Sequence, residues 1–157
     1  MAVLATNKKA YLDFEILDTY EAGLVLKGYE AKAVKSGQMK LKGSHVTIHY
    51  NQKGAPELYL MNAHISKYKY AGDIKDHDPV RPRKLLLRKK QIEHLMGKKQ
   101  EKGLTLIPLK VYTKRSLVKL EFALVRGRRK VDKREVIKKR EEERRIRTLT
   151  KRNRVRY

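Results

Sequence analysis

His77 and Asp78 stand side by side at the head of the segment HDPVRPRKLLL (77–87). A histidine beside a carboxylate can be an oriented general base, but only with a nucleophile or a substrate proton in reach. No such partner is placed beside this pair, and the proline two residues after His77 marks a turn. Capping a loop suits the pair better than catalysis. His45 and His49 are four apart, which on a strand only places them on one face. No HExxH accompanies them, so no metal site is expected. GLVLKG (23–28) lacks the middle glycine of a dinucleotide loop. The absence of cysteine removes disulfides, thiolate metal sites and cysteine nucleophiles, and fits a reducing cytoplasm. The expectation is therefore no catalytic residue, no cofactor, no metal and no enzyme activity.

What the chain is equipped to do is bind anions. It has 40 Lys and Arg against 17 Asp and Glu in 157 residues, a net charge of +23. Such an excess is self-repelling until a polyanion neutralises it. Nucleic acid is the strongest candidate, because every phosphate contact also releases counterions. An anionic membrane fits less well: no stretch approaches the roughly 18–20 apolar residues of a span. The opening MAVLATNKKAY is too short in its apolar part to be expected as a signal peptide. Within 77–87, Pro79 and Pro82 stiffen the chain, so Arg81, Arg83 and Lys84 would project from a fixed frame and lose little entropy on gripping phosphate. Alternation along Leu85-Leu86-Leu87 would expose one leucine, which could lie against a base or sugar. A buried strand or helix start with solvated neighbours fits the same pattern. Tyr59, Tyr68, Tyr70 and Tyr112 lie among lysines, the combination that stacks unpaired bases while holding their backbone. Tyr59 and Tyr112 read better as half-buried strand tyrosines with wet hydroxyls. For Tyr68 and Tyr70 both readings stand.

The elements that must position these residues are mostly strands. Residues 11–26 predict a strand bent near Gly23, with Phe14, Ile16 and Asp18 on one face. Gly28 and Gly37 bracket a short helix with Ala31 and Val34 inward. Segments 44–50 and 57–65 form a hairpin through NQKGAP. Residues 66–82 read as a loop, and 83–87 as a strand or a helix entry. Residues 88–103 form a helix, with Ile92, Leu95 and Met96 on one stripe and Gly103 as its stop. Segments 104–113 and 116–125 pair through Lys114–Arg115, and Pro108 implies an edge or a bulge. The fold class is mainly β: a small closed antiparallel OB-like barrel of about six strands with two or three short helices.

The chain divides at residue 125, into a barrel (1–125) and a basic C-terminal tail (126–157). The tail has 16 Lys and Arg against 5 Asp and Glu, and only Val131, Val136, Ile137, Ile146, Leu149 and Val155 are aliphatic. That is too little to bury a core, so the free tail should be mobile. Asp132 can cap a helix, with Glu135 completing a capping box. Glu135–Lys139, Glu141–Arg145 and Glu143–Arg147 are favourable i,i+4 pairs, each worth about 0.2–0.5 kcal/mol. The helix should be marginal alone and firm when bound. A solvated extension that aids solubility is the plainer alternative.

Five stretches, NKKAYLDFEI (7–16), TYEAGLVLKGYEAKAVKSG (19–37), HDPVRPRKLLL (77–87), EKGLTLIPLKVY (101–112) and DKREVIKKRE (132–141), stand in the order and spacing of one family. Through them the chain resembles the tmRNA-binding small protein B family, the SsrA-binding proteins. The resemblance implies an OB-like barrel that binds the tRNA-like domain of transfer-messenger RNA. It implies delivery of that RNA, with the elongation factor engaged through the RNA, to stalled bacterial ribosomes in trans-translation. It implies a tail that enters the empty mRNA path of the small subunit near the decoding centre and folds there. A monomer acting in the cytoplasm is expected. The barrel's RNA-binding set is then Asn7, Lys8, Lys9, Glu21, Arg81, Arg83, Lys84 and Leu86. Glu21 would accept from a base amino or imino group, Leu86 would be the exposed leucine, and Arg83 and Lys84 would hold phosphates. The ribosome-binding set is Asp132, Lys133, Arg134, Lys138, Lys139 and Arg140. Val131 stands where the family often has an aromatic residue or histidine, which leaves apolar contact there.

Overall fold

Strands that bury one face and expose the other leave two unpaired edges unless the sheet closes on itself. Here it closes. The computed structural model describes residues 2–72, 77–101 and 103–155. Its elements are β1 (Ala2–Thr6), α1 (Lys8–Asp13), β2 (Phe14–Leu24), α2 (Gly28–Lys35), β3 (Met39–Lys40), β4 (His45–Tyr50), β5 (Pro56–Met61), β6 (His64–Ile65), β7 (Arg83–Leu86), α3 (Lys89–Lys99), β8 (Leu104–Lys114), β9 (Leu117–Gly127) and α4 (Lys130–Val155). Strands β8, β4, β5, β7, β2 and β9 follow one another, and β9 pairs back to β8, so six strands form a ring. Every pairing is antiparallel. This is the small closed barrel that the sequence led us to expect. The edge of β8 that faces away from β9 is shared: Leu106 pairs with β4, and residues 110–113 pair with β1. Short β1, the helix α1 and the separate β3–β6 pair were not legible in the sequence.

Strands β8 and β9 are buried on both faces, which accounts for their nearly continuous apolar runs. Leu106, Val111, Leu120, Phe122 and Leu124 face the barrel interior with Tyr20, Ala22, Leu24, Val46, Leu58, Leu60 and Leu85. Ile107, Leu109, Ala123 and Val125 face outward and are covered by Ala10 of α1, with Tyr11, Phe14 and Ile16 alongside. The ladder shifts register between Pro108 and Lys110, so the proline without an N–H sits at a bulge, as expected. The β8–β9 turn is Arg115–Ser116, with φ of 51° and 65°, and Lys114 pairs with Leu117. That pair of left-handed residues makes the twist-matched two-residue turn, one residue later than the sequence suggested.

The inner face of α2 departs from expectation. Glu30, Ala33 and Val34 are buried, while Ala31 is half-buried. Glu30 is there because Arg83 is opposite. On β7, Arg83 and Leu85 point inward at 0% and 3% exposure, and Leu86 points outward at 55%. Arg83 donates from Nε and Nη2 to Glu30 Oε2 (2.9 and 2.7 Å), from Nη1 to the Ala63 carbonyl (2.8 Å) and from Nη2 to the Pro79 carbonyl (3.1 Å). Arg81 Nη2 meets Glu30 Oε1 at 2.5 Å, and the Lys27 backbone N–H donates to the same oxygen at 2.9 Å. The phosphate-holding role read for Arg83 is therefore corrected: its guanidinium is the buried partner of Glu30.

Helix α4 starts at Lys130, so Asp132 lies inside the first turn rather than at the N-cap. There its charge still opposes the positive end of the helix dipole. The helix root rests on α1. The Arg128 backbone N–H donates to the Asp13 carbonyl (2.9 Å), Arg128 Nε donates to the Phe14 carbonyl (3.0 Å), and Lys133 Nζ lies 3.3 Å from Asp13 Oδ1. From residue 141 to 151 every side chain is exposed.

Burial pushes the Glu30 carboxyl up, but Arg81, the Lys27 N–H and Arg83 more than offset this and hold it below the ordinary carboxylate value. Its contribution is thus complete above the ordinary carboxylate range and is lost as pH falls through the lowered folded-state value. Glu30→Ala should cost about 3–5 kcal/mol in urea denaturation, because it leaves Arg83 buried and unpaired. Glu30→Leu combined with Arg83→Met should recover much of that and lose part of the acid sensitivity.

Candidate nucleic-acid interface

Side-chain parity along β2 sends Tyr20, Ala22 and Leu24 inward and Glu21 and Gly23 outward. On β7 the same parity sends Lys84 and Leu86 outward. Gly23 pairs with both Leu86 and Lys119. A Cβ added at Gly23 would stand 3.4 Å from Leu86 Cβ, 3.8 Å from Leu86 Cδ1 and 3.8 Å from Lys119 Nζ. The glycine therefore keeps the flank of the exposed leucine open.

Glu21 is exposed but held. Tyr112 Oη donates to its Oε2, and Lys114 Nζ lies 3.5 Å from its Oε1. The hydrogen bond from Tyr112 is the main reason the Glu21 carboxyl sits below its ordinary value; burial opposes it, and Lys114 and then Lys119 add to the lowering. Burial chiefly, then the Glu21 carboxylate, pushes the Tyr112 phenol up. The result is an ionised carboxylate with fixed direction and open lone pairs, ringed by lysines, next to an exposed leucine. A carboxylate placed so can accept from a base amino or imino group, the leucine can lie on a base or sugar, and the lysines can meet phosphates.

Lys84 Nζ lies 3.3 Å from Glu57 Oε1, and Tyr59 Oη donates to Glu57 Oε2 at 2.8 Å. Tyr59, then Lys84 and Asn51, lower the Glu57 carboxyl. Lys84 stays 43% exposed, so a phosphate can still reach it. Lys8 and Lys9 are exposed at the start of α1. Asn7 is buried at 8%: its N–H donates to the Leu109 carbonyl (2.7 Å) and its Nδ2 to the Pro108 carbonyl (3.0 Å), tying α1 to the β8 bulge. Tyr11 of α1 feels the charges of Glu121 and Lys110, and Glu121 pairs across from Glu21. The outer face thus runs from α1 across β8, β9 and β2 to Leu86. Arg81 is half-buried on Glu30 and Arg83 is buried, so neither lies on this face as a free cation. In α4, Asp132, Arg134, Lys138, Lys139 and Arg140 are exposed, and Lys133 is engaged by Asp13.

Sequence reasoning missed Tyr112, Lys114 and Lys119 as neighbours of Glu21, and Gly23 as the space beside Leu86. The Tyr112 hydroxyl is bound to a carboxylate rather than wet. The signal existed in the hairpin register, in which Tyr112 faces Lys119, but a turn placed one residue early conceals it. Among the described residues no group of three or more His, Asp or Glu could hold a metal.

Replacing Tyr112 by Phe should raise the Glu21 titration midpoint toward that of an ordinary glutamate, followed by carbon-detected NMR of the Glu21 carboxylate. Packing should hardly change, since the ring is kept. An unmoved midpoint would mean that Tyr112 does not set the state of Glu21.

Comparison with known proteins places this geometry in a family. The sequence model of the family described as SmpB protein matches residues 4–152, from β1 into α4. The SsrA-binding protein of Thermosipho africanus is 50% identical over 155 residues, covering 98% of this chain and 100% of its own. That of Persephonella marina is 49% identical, covering 92% of this chain and 91% of its own. A solved chain from the structure described as "tmRNA-SmpB: a journey to the center of the bacterial ribosome" is similar at TM-score 0.62 and 41% identity, over 84% of this chain and 92% of that one. With the match running through both the barrel and the tail helix, the chain belongs to the SmpB family.

Proposed function

We propose that this protein binds the tRNA-like domain of tmRNA through the outer face of its barrel and delivers that RNA to stalled bacterial ribosomes in trans-translation. The observation that carries the reading is the face itself: Glu21 held ionised beside exposed Leu86, with Lys84, Lys114 and Lys119 around them, in a chain of the family whose relatives are named for binding SsrA RNA. Lys8 and Lys9 extend the cationic face at α1, and Asn7 fixes their position. Arg81, held by Glu30, is not counted among the free cations of this face.

Residues 1–125 and 126–157 divide the labour. Val131, Ile137, Ile146 and Leu149 of α4 are 64%, 41%, 58% and 53% exposed, so the helix gains little from packing and depends on what surrounds it. Seated in the empty mRNA path, Asp132, Lys133, Arg134, Lys138, Lys139 and Arg140 meet small-subunit rRNA near the decoding centre. There Lys133 exchanges Asp13 for phosphate. The elongation factor is engaged through the RNA, and no chemical step falls to this chain. The protein acts as a monomer in the cytoplasm. Among the described residues, no helix is long and apolar enough to cross a membrane.

Deleting Lys133–Tyr157 should leave affinity for the tRNA-like RNA within a few-fold of full length while abolishing tagging in a reconstituted translation assay. Loss of affinity would contradict the division. Lys84→Ala should lower the slope of log K against log salt by about one, whereas Glu21→Ala should weaken binding with the slope unchanged.

A further inference from the structure

The segment between β6 and β7 carries a feature that the Glu21–Leu86 face does not use. The Ser66 N–H donates to the Gln38 carbonyl (3.0 Å) and the Ala71 N–H to the Tyr68 carbonyl (3.1 Å), closing a turn with Lys69 and Tyr70 at its centre. Tyr68 is half-buried and packs on the barrel core. Tyr70 meets it edge-on, with ring centroids 5.6 Å apart and planes at 69°. Tyr70 is 76% exposed, the most of any large hydrophobic side chain among the described residues. Each ring has its own cation: Lys32 Nζ lies 5.9 Å from the Tyr68 centroid and Lys69 Nζ 5.6 Å from that of Tyr70. Tyr20, Tyr59 and Tyr112 give their hydroxyls to carboxylates. Among the described hydrogen bonds, Tyr68 and Tyr70 do not.

An exposed ring on a half-buried one, at the tip of a tied-down turn, loses little entropy when another flat group is laid on it. The lysines, including exposed Lys67, suit a ligand that pairs flat apolar rings with negative charge. We propose that the Tyr68–Tyr70 turn is a stacking platform for an unpaired base of RNA, with Lys69 and Lys32 holding the phosphates beside it. Tyr70 offers the stacking face, and Tyr68 fixes its angle. The proposal rests on the RNA-binding reading above and adds a second place of contact to it.

The test uses the full chain and two probes: an unstructured oligoribonucleotide carrying one 2-aminopurine, and a tRNA-like RNA. Wild type should quench the 2-aminopurine on binding. Tyr70→Ala should remove the quench and weaken oligonucleotide binding about 5- to 10-fold, and Tyr70→Phe should keep both. Lys69→Ala should keep the quench and reduce the salt slope by about one. Absence of a quench with wild type, or an unchanged quench and affinity with Tyr70→Ala, overturns the platform; the latter is what a turn that docks another protein would give. If the tRNA-like RNA binds while the Tyr70 result is negative, only the platform falls. If wild type ignores the tRNA-like RNA, the proposed function falls, and the oligonucleotide arm still reports on the platform.

Discussion

A guanidinium with no solvent exposure has to be paired, and the pairing of Arg83 with Glu30 organises everything around it. Four hydrogen bonds from this side chain reach α2, the carbonyl after β5 and the carbonyl of Pro79. They draw a helix, a strand end and a long connection onto β7. The strand repeat is two, so fixing Arg83 inward also fixes Leu85 inward and turns Lys84 and Leu86 outward. A slip of one residue would exchange these sets. That resolves the mixed chemistry of RPRKLLL: Arg83 and Leu85 build the core, while Lys84 and Leu86 are turned to the outer face.

The rest of the face follows from closure of the barrel. β8 pairs along its whole length with β9 and shares its other edge between β4 and β1. The bulge at Pro108 and the turn at Arg115–Ser116 set which β8 and β9 residues lie opposite β2. Tyr112 is thereby placed under Glu21, and Lys119 opposite Gly23. The outer face that carries Glu21 and Leu86 arises at the seam where β9, β2 and β7 meet, with α1 continuing it over the outward apolar residues of β8 and β9.

Much of this was legible from periodicity and turn chemistry: the closed antiparallel barrel, the two hairpins, the α3 stripe, the bulge at Pro108 and a single exposed leucine among three. The failures share a cause. Arg83 was read as a phosphate ligand because its partner lies 53 residues away, and sequence order does not show which distant carboxylate will be buried. Burial of Glu30 in place of Ala31 is the other half of the same contact. β1 is five residues of small and mixed side chains, AVLAT, and forms only because β8 offers it an edge. Asp132 looked like a cap because it precedes a helical charge pattern, yet Lys130 and Val131 are already helical. Tail residues are legible as charge and propensity, whereas the contact of Lys133 with Asp13 is not.

Barrel and tail differ in how they hold their shape. The barrel has a core and a buried ion pair, and its face is set before any RNA arrives. The tail helix has almost no burial beyond its root, so its surroundings decide how firmly it stands. The most direct measurement is site-specific photo-crosslinking, with a photoreactive residue at position 86 in one protein and at position 149 in another, each mixed with tRNA-like RNA and then with stalled ribosomes. The account expects position 86 to crosslink to the free RNA and position 149 to crosslink only to small-subunit rRNA on the ribosome. Crosslinking of the free RNA from 149 but not from 86 would contradict it.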